Sequence, residues 1–160
     1  MTRDGYTLDS VDYAILKCLK DNARMTASEI GKKINLSVSA VIERIKKLER
    51  NEVIQGYTIS LNQAKMGNGL VALMEVSLEH PKYYEEFAEM VRNNDNIQSC
   101  YYRTGEFDFM LNIYTDSADS LEKIHRSVMN MTGIQATKTH FVLKVVKNDT
   151  SIIPGGNIKA

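Results

Sequence analysis

Residues 26–50 read TASEIGKKINLSVSAVIERIKKLER, and this stretch decides the fold of the N-terminal half. Thr26 followed by Glu29 has the form of a capping box, which predicts the start of a short helix. Asn35 ends that helix, and Ser37 is the predicted N-cap of the next one. Apolar residues at helical spacing give the two helices their inner faces: Ile30, Ile34, Val41, Ile45 and Leu48. Two capped helices joined by a tight turn predict a helix-turn-helix.

Two short helices bury little surface, so neighbouring segments must complete the core. Gly31 has a small side chain, which lets the two helices approach closely. Asp9 is the expected N-cap of an earlier helix, whose apolar residues are Leu8, Val11, Ile15, Cys18 and Leu19. After the motif, short strands are expected from the apolar residues Ile54, Tyr57, Ile59 and Leu61. We therefore expect residues 1–61 to form one domain.

The pattern changes after Gly67-Asn68-Gly69, which indicates a hinge within a linker at 62–69. Four strands are expected at 70–78, 97–104, 107–114 and 134–146. One helix begins at Pro81, and another begins near Ser117 and stops at Gly133. The order βαββαβ predicts a ferredoxin-like domain over residues 70–148, and the fold class is therefore α+β. Residues 149–160 are expected to form a loose tail.

The composition and charge of the chain exclude several classes of function. The chain has 160 residues and a formal net charge of zero, which excludes binding driven by bulk positive charge. Positive charge is instead local, because Lys32 to Arg50 carries six basic and two acidic residues. Cys18 and Cys100 are far apart, and the three histidines are scattered, so no metal site and no cofactor are expected. The chain shows neither an apolar signal region nor a membrane-length apolar run, which favours the cytoplasm and no membrane partner.

The second helix of such a motif enters the major groove of double-stranded DNA. Its first turn has short side chains that fit deep in the groove, and Glu43 is a candidate acceptor for a cytosine amine. Arg44 and Lys47 are expected on the outer face, where they reach phosphates or a guanine. The candidate DNA-binding residues are Ser37, Val38, Ser39, Ala40, Glu43, Arg44 and Lys47. The alternative is that these charges form only a solvated face.

Several segments together resemble the Lrp/AsnC, or feast/famine, regulators. They include Leu8-Asp9-x-x-Asp12, Glu43-Arg44-Ile45, Ile54-Gln55-Gly56-Tyr57 and Thr104-Gly105-Glu106-Phe107-Asp108-Phe109, in the family's order along nearly the whole chain. The resemblance implies a winged helix-turn-helix joined to a ferredoxin-like domain that senses a ligand. The family usually has glycine at Asn35 and at Glu52. Asn35 is a mild change, whereas Glu52 is expected to alter the wing.

The resemblance also implies an effector site near the place where subunits meet. The residues that match the family's pocket are Thr104, Gly105, Glu106, Phe107, Asp108, Thr137 and Thr139. Backbone donors at Gly105 suit a carboxylate, and the carboxylate of Asp108 suits an ammonium, so an amino acid is the expected effector. The alternative is that Gly105 and Asp108 form only a capped turn.

These observations predict a transcription regulator whose binding to DNA responds to an amino acid. We do not expect an enzyme, since no nucleophile–base arrangement or phosphate-binding loop is present. Two alternatives stay open: an architectural DNA-binding protein without a ligand, and an enzyme that resembles the sirohaem decarboxylases. The final strand has apolar residues on both faces, so we expect a homodimer, with octamers or larger assemblies also compatible.

Overall fold

The computed structural model describes residues 6–149 and 151–154. The chain forms two compact units, one containing residues 60–147 and the other containing residues 6–59 together with the described residues from 148 onward. The expected domain start at 1–5 and the parts of the expected tail at 150 and 155–160 lie outside the described residues.

Within its described residues, the N-terminal unit contains three helices, namely α1 (Ser10–Asp21), α2 (Ala27–Ile34) and α3 (Val38–Arg50). Each begins at a side-chain cap, supplied by Asp9, Thr26 and Ser37 as the sequence predicts. The helices enclose a core of buried side chains: Ile15, Cys18, Ile30, Val41 and Leu48. A Cβ atom added at Gly31 would lie 2.5 Å from the carbonyl oxygen of Leu36, so glycine permits this tight turn.

The strands expected from Ile54 to Leu61 are absent, since the described residues 54–61 contain no strand. A strand needs a hydrogen-bonded neighbour, and the backbone amides of Val53 and Ile54 instead close a turn on the carbonyl of Leu48. Beyond the turn, Tyr57 and Ile59 are exposed.

The described part of the C-terminal tail lies beside α1. Residues 151–154 line a cleft together with Leu16 and Ile54, and the Asp149 carboxylate is 3.7 Å from the Lys20 ammonium. Ile153 is half-buried in this cleft, whereas Ser151, Ile152 and Pro154 are exposed, and the loose tail stays a prediction.

The second unit contains β1 (Leu70–Leu78), β2 (Ile97–Tyr102), β3 (Phe109–Thr115) and β4 (Ile134–Phe141). A 3₁₀ turn at Gln63–Met66 precedes β1, and another at Pro81–Tyr83 precedes α4 (Tyr84–Arg92), while α5 (Ala118–Met129) precedes β4. The antiparallel sheet has the order β2-β3-β1-β4. This arrangement confirms the ferredoxin-like α+β fold.

One face of the sheet packs against α4 and α5. Its core contains Ala72, Met74, Val76, Phe87, Phe109, Leu111, Ile113, Leu121, Ile124 and Val128. The pairing of Val76 with both Phe109 and Thr137 places those side chains on the same, helix-covered face. We call the opposite side, which carries Leu73, Glu75 and Met110, the open face of the sheet.

Several expected boundaries differ from the structure, since β2 ends at Tyr102 rather than at residue 104 and β3 spans Phe109–Thr115 rather than 107–114. The last strand ends at Phe141 rather than Val146, because its neighbour β1 begins at Leu70 and has only that one residue left beyond Val71. Helix α5 ends at Met129 with Asn130 as its cap, so Gly133 does not stop it. Gly133 instead has φ 84° and lies against the ring of Tyr83, where a Cβ atom would collide.

Candidate functional site

The N-terminus of α3 is exposed and hydroxyl-rich. The Ser37 hydroxyl accepts a hydrogen bond from the Ala40 amide at 3.2 Å and lies 3.2 Å from the hydroxyl of Ser39. The side chain of Val38 is exposed, whereas Ala40 is only half-exposed. This first turn therefore presents small groups and unpaired backbone amides, the combination that suits close approach to an anionic backbone.

Further along α3, a row of exposed side chains lies on one side of the helix, which we call the outer face of α3. It comprises Val38, Ser39, Ile42, Glu43, Lys46 and Arg50. The Arg50 guanidinium donates to the Glu43 carboxylate at 3.1 Å, so these two opposite charges largely offset each other. The DNA-binding residues predicted from sequence did not include Ile42, Lys46 or Arg50. Helical spacing from Ser39 identifies them.

Arg44 does not lie on the outer face, so the sequence prediction of its position is wrong. Its Nη1 atom is 2.7 Å from an oxygen of Asp9 and 2.8 Å from an oxygen of Asp12. Asp12 is only 2% exposed, and it also accepts hydrogen bonds from the Tyr6 hydroxyl and the Asp9 amide. Arg44 therefore connects α3 to the start of α1.

This network affects the titration of Asp9. Burial raises the pKa of Asp9, but hydrogen bonds from the Asp12 amide and from Arg44 outweigh that effect and leave the pKa below its ordinary value of 3.8. The charged carboxylate is thus the form that the folded protein stabilises. The same pairing raises the pKa of the Arg44 guanidinium, chiefly through its hydrogen bonds to Asp9 and Asp12.

Lys47 also turns away from the outer face. Its ammonium lies 4.7 Å from the centre of the Tyr6 ring, in a cation–π arrangement beside the start of α1. Lys47 stays exposed, so its ammonium is available to a phosphate at the edge of a DNA groove.

Two non-glycine residues near α3 have left-handed backbone conformations. Asn35, in the turn before α3, has φ 58°, and Glu52, in the turn after it, has φ 55°. Left-handed backbone strains most L-residues by roughly 1–2 kcal/mol, and asparagine tolerates it better than glutamate. The strain at Glu52 therefore lies in the turn that leads out of α3.

The loop between β2 and β3 exposes three of the predicted effector residues, Thr104, Gly105 and Glu106. Gly105 has φ 127°, which few other residues adopt. Asp108, by contrast, is engaged inside the unit, since one of its carboxylate oxygens accepts from the Leu78 amide at 2.7 Å. The Arg103 side chain donates to the carbonyl of Phe107 at 3.2 Å and forms an ion pair with Glu75. Asp108 thus fastens the loop to β1.

The two threonines of β4 lie apart from that loop. Thr137 is separated from Phe109 by the whole of β1, a distance of roughly 10 Å at two strand spacings. The Thr137 hydroxyl is 3.0 Å from Nε2 of His125 and donates to the Met129 sulfur at 3.2 Å. The Thr139 hydroxyl oxygen is buried and finds no hydrogen-bond partner within the described part of the chain.

The effector residues predicted from sequence also line different cavities. Asp108 lines a cavity of about 230 Å³ with Tyr84 and Tyr102, whereas Thr139 lines one of about 290 Å³ with His125 and Phe141. Within one chain the structure therefore does not bring the loop and the threonines together.

A larger, polar cavity of about 510 Å³ opens at the other end of the sheet. Asp116 and Lys123 line it, together with Asn68 and Asn96. Hydroxyl groups of Ser120 and Ser117 lower the pKa of Asp116 and favour its charged form. Sequence reasoning missed these residues, which become neighbours only when the segment before β1 meets the start of α5.

The Cys100 thiol is half-buried in β2. Burial raises the pKa of the Cys100 thiol to about 11, so this cysteine is a weak nucleophile at neutral pH. Among residues 6–149 and 151–154, no three His, Cys, Asp or Glu side chains gather as a metal ion would require. None of the described helices is both long enough and apolar enough to span a membrane.

Comparisons with known proteins identify the family of each unit. Residues 8–55 match the family model for winged helix-turn-helix DNA-binding domains, and residues 71–152 match the model for the Lrp/AsnC ligand-binding domain. An uncharacterised helix-turn-helix transcriptional regulator of Pyrococcus furiosus is 33% identical over 92% of this chain and 99% of its own length. The leucine-responsive regulatory protein of Escherichia coli K12 is 30% identical over 94% of each chain.

A solved structure agrees with these relatives. It is a transcriptional regulator of Neisseria meningitidis in complex with L-methionine, which superposes with a TM-score of 0.87 and 31% identity, over 92% of this chain and 97% of that one. The chain therefore belongs to the Lrp/AsnC family and is a transcriptional regulator with a winged helix-turn-helix and a ligand-binding domain.

Proposed function

We propose that this regulator binds specific sequences in double-stranded DNA and that an amino acid modulates this binding. The observation that carries the proposal is the outer face of α3, an exposed row of hydroxyl, apolar and basic side chains on a helix whose opposite side is fixed in a compact core. Residues 1–61 would bind DNA, residues 70–148 would bind the effector and assemble, and residues 62–69 would link them.

The geometry changes how the DNA contacts are assigned. Ser37, Ser39 and Glu43 keep their proposed contacts to DNA, with Val38 beside them on the exposed first turn and Ala40 at its edge. Lys46 takes the outer position that sequence had given to Arg44, and its exposed ammonium suits a phosphate or a guanine. Arg44 supports the site by holding α3 against α1.

An amino-acid effector is supported by two relatives. One was crystallised with L-methionine, and another is named for its response to leucine. The exposed amides around Gly105 suit a carboxylate, and the unpartnered hydroxyl of Thr139 offers a further polar contact. Because these groups are apart within one chain, the proposed pocket combines the loop of one subunit with elements of another.

Assembly of two or more subunits is supported by apolar side chains that are exposed to solvent in a single chain. Phe141 is exposed at the end of β4, and Leu143 and Val146 are exposed beyond it, with Leu143 100% exposed. On the open face of the sheet, Tyr101 is exposed as well. We propose a two-fold homodimer in which a second copy covers these groups, with octamers or larger assemblies also compatible.

A binding experiment tests the effector. Each of the twenty amino acids is added to the full chain, and the melting temperature and the affinity for a DNA duplex selected from a random library are measured. A true effector raises the melting temperature and changes the DNA affinity, because it binds one conformation or assembly better than another.

Matched variants locate the pocket. Thr139→Val and Glu106→Ala should weaken the response, whereas Lys123→Ala, in the separate polar cavity lined by Asp116 and Asn68, should leave it unchanged. If only the Lys123 variant loses the response, the effector occupies the polar cavity and the proposed pocket is wrong. If no amino acid changes the melting temperature or the DNA affinity, the result supports the alternative of an architectural DNA-binding protein without a ligand.

A further inference from the structure

The outer face of α3 carries two branched apolar side chains that packing does not explain. Val38 is 45% exposed and Ile42 is 41% exposed. The apolar side chains that attach this helix to the core are different ones, since Val41 and Leu48 are fully buried. Val38 and Ile42 are four residues apart, so they stand one above the other on the same side of the helix.

Several polar groups of this face have partners within the chain, whereas the Lys46 ammonium stays exposed. The hydroxyls of Ser37 and Ser39 lie within hydrogen-bond distance of each other, and the Glu43 carboxylate is paired with Arg50. The Val38 and Ile42 side chains are therefore apolar groups that remain exposed in the middle of a polar surface. A partner that covers them must present apolar groups at a matching spacing.

We propose that Val38 and Ile42 contact the C5-methyl groups of thymines, so that the operator is selected by thymines at two closely spaced positions. The methyl of thymine is the apolar group that base pairs present in the major groove. Side chains four residues apart on a helix have Cβ atoms about 5–6 Å apart, and base pairs are stacked about 3.4 Å apart. The two thymines are therefore one or two base-pair steps apart. This inference rests on the proposed entry of α3 into the major groove.

Uracil in place of thymine tests the contact, because it pairs identically and lacks only the methyl group. A high-affinity duplex is first selected from a random library with the full-length protein. Each thymine is then replaced by uracil, one at a time, and the dissociation constants are measured for wild type, Val38→Ala and Ile42→Ala. Ile152→Ala is the control variant, since this exposed isoleucine lies outside α3.

For wild type, uracil should weaken binding about fourfold at each contacted position, the value expected for one buried methyl group. The penalty at one position should vanish in Ile42→Ala, and the penalty at the other should vanish in Val38→Ala. Both penalties should persist in Ile152→Ala. Such paired losses would establish which side chain meets which methyl.

Three results would overturn the inference. Tolerance of uracil at every position would show that no methyl is read, and penalties that persist in both alanine variants would assign the methyl contacts to other residues. A change of oligomeric state in Ile42→Ala, with uracil tolerated, would show that the face contacts protein. In each of these cases salt-dependent binding to DNA would continue, whereas failure of the proposed function itself would abolish DNA binding in wild type.

Discussion

Replacing Arg44 with alanine should reduce the stability of the N-terminal unit and leave the DNA contacts of the folded protein largely intact. The guanidinium is 2.8 Å from a carboxylate of Asp12 that is almost fully buried. Removing one partner of a buried ion pair costs about 3–5 kcal/mol. A third of the Arg44 side chain is exposed, at 33%, and Asp12 keeps its hydrogen bonds from Tyr6 and Asp9. We therefore expect a loss of about 2 kcal/mol.

Urea unfolding followed by circular dichroism measures this loss. The midpoint should fall without a change in the slope, because the same surface is exposed on unfolding. Lys46→Ala is the matched control, since it removes a cation two residues away from an exposed position. It should change the stability by less than about 0.5 kcal/mol. It should weaken DNA binding and reduce the salt dependence by about one counterion.

The opposite pattern would refute this reasoning. If Arg44→Ala keeps the wild-type midpoint and loses DNA affinity as Lys46→Ala does, the guanidinium contacts DNA and the network with Asp12 contributes little. A double-mutant cycle with Asp12→Asn gives a further check. The two destabilisations should be strongly non-additive, because both variants break the same contact.

Three more predictions follow from the backbone, from the titration of Asp9 and from the end of β4. Glu52→Gly should raise the unfolding free energy by about 0.5–1 kcal/mol, since relief of left-handed strain outweighs the added chain entropy, and Glu52→Ala should show no such gain. The pKa of Asp9 is lowered on folding, so its stabilisation is present above pH 3.8 and is lost as the pH falls through the folded-state value. Asp9→Asn should accordingly lose less stability on acidification in a pH series of urea melts. Phe141→Asp should weaken the proposed dimer, and sedimentation showing an unchanged assembly would place the interface elsewhere.

Much of this architecture could be predicted from local patterns in the sequence. The caps at Asp9, Thr26 and Ser37 were predicted because a cap depends on residues within a single turn. The helix-turn-helix and the order of elements in the second unit followed from apolar periodicity, which depends only on which face each residue occupies. The two unusual positions, Asn35 and Glu52, were also visible as departures from the family's glycines, and both proved to have left-handed backbones.

The errors concern contacts between residues distant in the chain. Arg44 has the helical position of a surface cation, but its partners Asp9 and Asp12 precede it by more than thirty residues and meet it only when α1 packs against α3. The hydrogen bond from the Leu78 amide to Asp108 was likewise not visible in the sequence, while the contact of Asp108 with a ligand stays a prediction. The end of β4 was misjudged because a strand stops where its neighbour stops, and the apolar run to Val146 contains no sign of that limit.

The sequence by itself determined the helices, the four strands of the sheet and the faces they bury, because helical and strand periods depend on neighbours a few residues away, but it did not exclude a strand at 54–61. Tertiary structure alone decided which charged side chains point outward and which carboxylates already have partners within the chain. A guanidinium or a carboxylate takes the strongest partner within reach, and that partner is fixed only when the chain has folded.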